Sequence, residues 1–264
     1  MTDMSFARPV APYVGGKRNL AKRLVARIDE TPHNTYAEPF VGMGGVFLRR
    51  KRPVQGELIN DYSRDVATFF RILQRHYVPF MEMMRFQLTT RAEFERLSAT
   101  GPETLTDLER AARFLYLQRT AFGGKVSGRS FGVSLDRPGK FNLTQLGPML
   151  DDLHTRLAGV VIERLDFETF IRRYDRPGTL FYVDSPYWGS EGCYGKDLFS
   201  RADFERLKGC LTGLQGRFIM SINDVPEIRE LFADFHFESV GTTYSAGGPK
   251  RGKGGTDREL IISG

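Results

Sequence analysis

The apolar residues of this chain alternate between two spacings, and the alternation sketches its elements. Leu20, Leu24 and Ile28 fall on one helical stripe with cations on the other side. Thr35-Tyr36-Ala37 reads as a short strand, followed by a glycine turn and a helix starting near Gly45; residues 55–59 predict a second strand. From 63 to 118 the period is helical. Val66, Phe69, Phe70 and Leu73 make one stripe, Phe80, Met83 and Met84 another, and Leu108, Ala111, Ala112 and Leu115 a third. Such Met and aromatic stripes are simplest as core. Beyond residue 142 strand and helix alternate again. Residues 160–162 predict a strand, 167–174 a helix, 180–183 a strand and 217–221 another. Ser200 with Asp203 has the form of a capping box ahead of Phe204, Leu207, Leu211 and Leu214, and Pro226 opens a helix over 226–235. Residues 237–244 and 259–263 predict a terminal strand pair. The fold class is therefore α/β, with helices inserted after the second strand.

Within this pattern the stretch Leu180-Phe181-Tyr182-Val183-Asp184-Ser185-Pro186-Tyr187-Trp188 stands apart. Four consecutive apolar residues describe a strand buried on both faces, as in a parallel sheet. The strand stops at an acid, and Pro186 cannot donate to a ladder. Asp184 and Tyr187 are thus placed where open α/β sheets bind ligands. A carboxylate and an aromatic on a stiff turn can grip a flat ring bearing an NH2 group. Taken alone, the stretch reads equally as an ordinary strand exit.

Two earlier segments bear on that choice. Phe40-Val41-Gly42-Met43-Gly44-Gly45 is a glycine turn that lets a ligand lie against backbone. Asp61 follows Gly42 by 19 residues, the spacing at which nucleotide-binding βαβ units place an acid on the ribose hydroxyls. The pair suggests an adenosine-containing cofactor. Tyr13-Val14-Gly15-Gly16-Lys17 adds a second glycine turn, whose lysine can pair with a carboxylate or a phosphate.

Composition narrows the setting. With 264 residues, 41% hydrophobic and 27% charged, the chain can bury a substantial core. No apolar run approaches the ~20 residues of a membrane span, and the first residues lack a secretory core. Two cysteines and four scattered histidines give neither a disulfide framework nor metal-ligand spacing. The expectation is a cytoplasmic protein without a metal, probed by no membrane and acting as a monomer. The net charge of +6 favours a polyanionic partner, and its location matters more than its size. Residues 119–142 carry Arg119, Lys125, Arg129, Arg137 and Lys140 against the single acid Asp136, interleaved with Phe122, Phe131 and Phe141. A basic hairpin with apolar tips suits phosphate contact and insertion between bases. A second glycine-rich loop, 247–258, brings Lys250, Arg251, Lys253 and Arg258.

The glycine turn, the helical-plus-hairpin insertion and Asp184-Ser185-Pro186-Tyr187, in this order, resemble the DNA adenine-N6 methyltransferases of the Dam-like, D12 class. The resemblance extends to the aromatic-x-Gly-Gly-Lys element at residues 13–17, to a target-recognition hairpin at 118–142 and to a C-terminal strand pair at 241–263. It implies a class I, Rossmann-like methyltransferase sheet that uses S-adenosyl-L-methionine. The catalytic domain would span 1–62 and 143–264, and the inserted target-recognition domain 63–142. By the same resemblance Tyr13, Lys17, Glu38, Phe40, Gly42, Gly44, Asp61 and Asp184 contact the cofactor. Asp184, Ser185, Pro186 and Tyr187 form the catalytic turn, and Arg119, Lys125, Arg129, Arg137, Lys140, Lys250, Arg251 and Lys253 contact DNA. Tyr13 stands where close relatives have tryptophan, and Ser185 where the family usually has proline.

The chemistry fits these side chains. The lone pair of an adenine N6 is delocalised into the ring, so the amine is a poor nucleophile. Accepting both its protons, on the Asp184 carboxylate and the Ser185 carbonyl, stabilises the charge that develops on it. Any residue has that carbonyl, and Pro186 keeps Ser185 extended. Tyr187 would stack on a base turned out of the duplex. The implied reaction is N6 methylation of adenine in double-stranded DNA. Alternatives are cytosine-N4 methylation, an RNA adenine substrate, or a DNA-binding protein of this fold without the reaction.

Overall fold

The computed structural model describes residues 7–13, 15–17, 19–51, 54–133, 136, 138–194, 198–242 and 257–264. Seven strands form one sheet: β1 (Thr35–Glu38), β2 (Gly56–Asn60), β3 (Val161–Glu163), β4 (Thr179–Val183), β5 (Arg217–Asn223), β6 (His236–Thr242) and β7 (Asp257–Ser263). Their order is β3-β2-β1-β4-β5-β7-β6. β3, β2, β1, β4 and β5 run parallel, whereas β7 is antiparallel to both β5 and β6. The chain moves outward from β1 to β3, then returns to the other side of β1 and continues to β5. The reversal falls between β1 and β4, which is where such sheets open a crevice at their carboxyl ends.

Alternation along the strands divides the core in two. Tyr36, Ile59, Leu180, Tyr182, Ile219 and Ile261 point into one layer. Ala37, Leu58, Phe181, Val183, Met220 and Ile262 point into the other. The second layer is closed by α7 (Phe167–Tyr174), α8 (Ala202–Thr212) and α9 (Pro226–Leu231). The first is closed by α1 (Ala21–Glu30), with Leu24 and Ile28 inward as the stripe predicts, and by helices inserted between β2 and β3. These are α2 (Arg64–Arg75), α3 (Tyr77–Met84), α4 (Arg91–Ala99), α5 (Asp107–Thr120) and α6 (Leu143–Arg156). Thr106 and Glu109 form a reciprocal capping box at the start of α5. Phe69, Phe114 and Leu150 of the inserted helices share one buried cluster with Tyr36 and Ile59 of the sheet.

At the opposite end of the sheet from the crevice, Glu57 accepts hydrogen bonds from Arg50 at 2.7 Å and from both Nη atoms of Arg156, at 2.6 and 2.8 Å. All three side chains are buried, so this cluster ties the chain after the glycine turn to β2 and α6.

Three local expectations are corrected. No α-helix follows Gly45; a 3-10 turn, Phe47–Arg49, stands there instead. Val46, Phe47 and Leu48 are all buried, so the segment lacks the polar face an amphipathic helix needs, and Arg50 turns out extended to reach Glu57. The helix expected over 226–235 stops at Leu231, and Phe232 and Phe235 turn in to pack on the core. The hairpin expected over 119–142 has, among its described residues, a single antiparallel bridge between Ala121 and Phe131. Arg119 still belongs to α5, and Gly123, Gly124 and Gly128 take positive φ, which breaks strand geometry.

Candidate active site

β4 is buried at all five positions, so the first side chain to emerge from it is Asp184, just past its end. Across the reversal, β1 ends at Glu38 and passes into the glycine turn, where Gly42 (φ 51) and Gly44 (φ 73) adopt left-handed backbone. A Cβ on Gly42 would lie 3.1 Å from the Tyr13 ring, so only glycine lets Tyr13 close over this turn. Asp61, just past β2, accepts the Gly42 N–H at 2.9 Å and the Ser63 N–H at 2.9 Å. The 19-residue spacing seen in the sequence is thus a direct contact that fixes the turn.

These ends surround a cavity of about 1050 Å3. Tyr13, Lys17, Phe40, Gly42, Asp61, Asp184 and Pro186 line it, together with Asp166, Phe167 and Phe199. Glu38, Gly44, Ser185 and Tyr187 adjoin the lining residues in sequence but are not among them. Glu38 is buried and accepts the Tyr36 hydroxyl at 2.7 Å. Gly44 packs so closely on Leu48 that a Cβ there would approach it to 2.9 Å.

Lys17 joins the parts. Its carbonyl accepts the N–H groups of Leu20 and Ala21, which anchors its backbone at the start of α1. Its side chain is fully buried, and its ammonium lies 3.0 Å from Asp184 and 3.5 Å from Glu259 of β7. The same ammonium donates to the Tyr187 hydroxyl at 2.5 Å and sits 4.1 Å from the centre of its ring. Asn223, at the end of β5, receives the Trp188 N–H at 2.9 Å and donates to its carbonyl at 3.1 Å, which pins the turn from the other side. Ser185 is completely buried, and its hydroxyl has no hydrogen-bond partner.

Burial governs the acids. It raises Asp184 to about 6; Lys17 and a hydrogen bond from Ser221 oppose the rise and Glu259 adds to it. Burial likewise raises Asp61 to about 6 against its two N–H bonds. Burial pushes Glu38 well above its ordinary value, and nearby Asp184 adds to the rise. The site therefore sets the Asp184 carboxyl beside a buried ammonium at the edge of a large cleft.

The basic segment is placed unevenly. Arg119 is half-buried and lines the cavity, where it donates to the Val10 carbonyl at 3.1 Å and the Lys140 carbonyl at 3.0 Å. Arg129 is half-buried, donates to the Lys125 carbonyl at 3.2 Å, and is lowered by burial and by nearby Arg113. Lys125 and Lys140 are exposed. Phe122 is exposed beside Lys140, whereas Phe141 is buried against Tyr116. Arg137, Lys250, Arg251 and Lys253 lie outside the described residues.

Sequence reading missed Glu259 and Asp166. Asp166 caps α7 by accepting the Glu168 N–H and, with Phe167, lines the cavity. An acid three residues past the third strand, echoing Asp61 just past the second, was the signal available for it. Among the described residues no group of His, Cys, Asp or Glu is arranged to hold a metal ion, and no helix is long and apolar enough to cross a membrane.

A seven-stranded α/β sheet whose parallel part reverses at a glycine turn, with acids at the ends of β2 and β4, is consistent with a methyltransferase fold. The match to known proteins makes this specific: the chain belongs to the D12 class N6 adenine-specific DNA methyltransferases, whose family model matches residues 13–246. It is thus an adenine-specific DNA methyltransferase, acting at the N6 amine. It is 25% identical to the type II methyltransferase M1.LlaDCHI of Lactococcus lactis subsp. cremoris, over 97% of this chain and 95% of that protein. It is 28% identical to the DNA N-6-adenine-methyltransferase of Escherichia phage P1 over 88% of this chain, and spans 32% of that longer protein. A solved structure of precorrin 8W decarboxylase from Methanobacterium thermoautotrophicum aligns over 93% of this chain and 89% of its own, with a TM-score of 0.40 and 12% identity.

Proposed function

We propose that this enzyme takes its methyl group from S-adenosyl-L-methionine and delivers it to an adenine turned out of double-stranded DNA, working as a monomer without a metal. The observation that carries the reading is the Asp184 carboxylate at the end of β4, facing the cavity and held by Lys17 at 3.0 Å. The cavity fits an adenosine-bearing donor. Its lining includes Gly42, whose φ of 51 and 3.1 Å approach to Tyr13 disfavour a side chain, together with Tyr13, Phe40 and Phe167, and Asp61 offers a carboxylate to ribose hydroxyls. When bound, the donor supplies an electrophilic methyl group on a sulfonium.

The residues of the chain do the rest. Tyr13, Phe40, Gly42 and Asp61 hold the donor directly, while Glu38 and Gly44 shape the turn. Asp184 accepts one N–H of the target amine and the Ser185 carbonyl the other, so positive charge on nitrogen develops against a carboxylate in a water-poor site. The Tyr187 ring stacks on the base, and Lys17 holds both the ring and the carboxylate in register. Pro186 stiffens the turn. Ser185 in place of proline removes no acceptor.

Target recognition is assigned to residues 63–142 and the catalytic domain to 1–62 with 143–264. Lys125 and Lys140, exposed, are the phosphate contacts, and Arg129 is the base-reading candidate. Arg119 supports the segment by tying Val10 to Lys140. Arg137, Lys250, Arg251 and Lys253, outside the described residues, are proposed as further DNA contacts.

Incubation with methyl-labelled S-adenosyl-L-methionine and duplex DNA, followed by nucleoside analysis, tests this. Label in N6-methyladenine is the expected result. Label in N4-methylcytosine, label accepted from RNA in preference to DNA, or no label would overturn it.

A further inference from the structure

Glu259 has no place in the reaction as described, yet it is a buried acid with little to satisfy it. It lies on β7 opposite Asn223 of β5, is 1% exposed, and neither of its carboxylate oxygens has a hydrogen-bond partner among the described residues. An isolated carboxylate in such a place is costly unless a charge compensates it. The compensating charge is the Lys17 ammonium at 3.5 Å, which is also 3.0 Å from Asp184. Two carboxylates on β4 and β7 therefore share one buried cation.

That sharing has a chemical consequence. An ammonium that closed fully onto Asp184 would occupy the oxygen needed by the adenine amine. A second carboxylate drawing the same ammonium toward β7 limits that competition. It also leaves one uncompensated negative charge in the cluster, a favourable setting for an amine that becomes positive. We propose that Glu259 is a positioning residue for methyl transfer, acting through Lys17 to keep Asp184 open to the target amine and the Tyr187 ring in place. The proposal rests on the reading of Asp184 as the acceptor.

Asp184 is faced by Lys17 from the segment before α1, Glu38 from β1, Tyr182 from β4, Ser221 from β5 and Glu259 from β7. Lys17, at 3.0 Å from Asp184 and 3.5 Å from Glu259, is the link that a substitution at Glu259 unbalances.

The test is single-turnover methyl transfer by the full chain, measured against pH for wild type, Glu259→Gln and Glu259→Asp, with donor and DNA affinities measured in parallel. Burst amplitude counts competent molecules, so rates refer only to those. Glu259→Gln is expected to slow transfer about 10- to 100-fold, the scale of a displaced catalytic group. Both affinities should stay within about twofold. The acidic midpoint should move down, because Lys17 then pairs with Asp184 alone. Glu259→Asp keeps the charge with a shorter reach; it should hold the wild-type midpoint and recover part of the rate. A wild-type rate and midpoint in Glu259→Gln would overturn the proposal, as would a loss confined to the competent fraction. Should Glu259→Gln fail to fold, Glu259→Asp decides: a reduced rate supports the proposal, and a wild-type rate overturns it. A wild-type protein that methylates no adenine would instead refute the underlying assignment of Asp184.

Discussion

The ammonium of Lys17 and the carboxylate of Asp184 lie 3.0 Å apart, bringing the segment before α1 to the end of β4. This pair sets a pH dependence. Burial holds Asp184 at about 6, despite Lys17, from an ordinary value of 3.8. If the ionised form accepts the amine, transfer should fall on the acid side with a midpoint near 6, read as the single-turnover rate at saturating substrates. A flat rate from pH 5 to 8 would contradict this. The sign for stability is the reverse. Because the folded value is raised, the native state keeps a proton that the unfolded chain releases. The contribution of Asp184 is thus greatest at low pH and is lost as pH climbs through about 6.

Asp61 holds the glycine turn, and the ribose contact proposed for it separates from that role by substitution. Asp61→Ala removes the acceptor for the Gly42 and Ser63 N–H groups as well as the ribose contact. Each buried donor left unmet costs ~1–3 kcal/mol, so the melting temperature should drop along with donor affinity. Asp61→Asn retains one acceptor and should melt closer to wild type. Calorimetric titration of S-adenosyl-L-methionine, alongside thermal melts, checks both. Unchanged affinity in a destabilised Asp61→Ala would leave Asp61 only the turn.

Ser185→Ala deletes a buried hydroxyl that has no partner and leaves the backbone carbonyl in place. It should be neutral to stabilising by up to ~1–3 kcal/mol, the cost of an unmet polar group, with transfer retained. A large loss of rate in a stable Ser185→Ala protein would give the hydroxyl a part in the reaction.

The cations of the basic segment should sort by exposure. Lys125→Ala and Lys140→Ala should weaken binding to every duplex and lower the salt slope by about 1 each. Arg129→Ala should cost ~1–3 kcal/mol on the cognate site and relax preference at one position. Arg119→Ala frees the Val10 and Lys140 carbonyls and should show first as a lower melting temperature. Binding isotherms on cognate and scrambled duplexes at several salt concentrations distinguish these. Uniform indifference would make the segment a solvated loop.

Much of this arrangement was legible before any coordinates, for identifiable reasons. Leu24 and Ile28 on α1 and the apolar run of β4 have only one way to be buried, so their periods sufficed. Asp61 could be placed because strand, turn and acid follow each other at a spacing set by backbone geometry. Glu259 could not, because an acid on a terminal strand reads as a solvent-facing position. Only the insertion of β7 beside β5, a long-range pairing, carries it under Lys17. The helix expected after Gly45 failed for a related reason: Val46, Phe47 and Leu48 are buried on every side, and the buried Arg50–Glu57 pair shapes the chain there.

The central claim is that Asp184 accepts the target amine, and Asp184→Ala addresses it most directly. The measurement is labelled methyl transfer to duplex DNA, with DNA and donor binding followed on the same preparations. Transfer should be lost while DNA binding persists, since the basic segment is untouched. An Asp184→Ala protein that binds DNA and turns over at a near-normal rate would contradict the account.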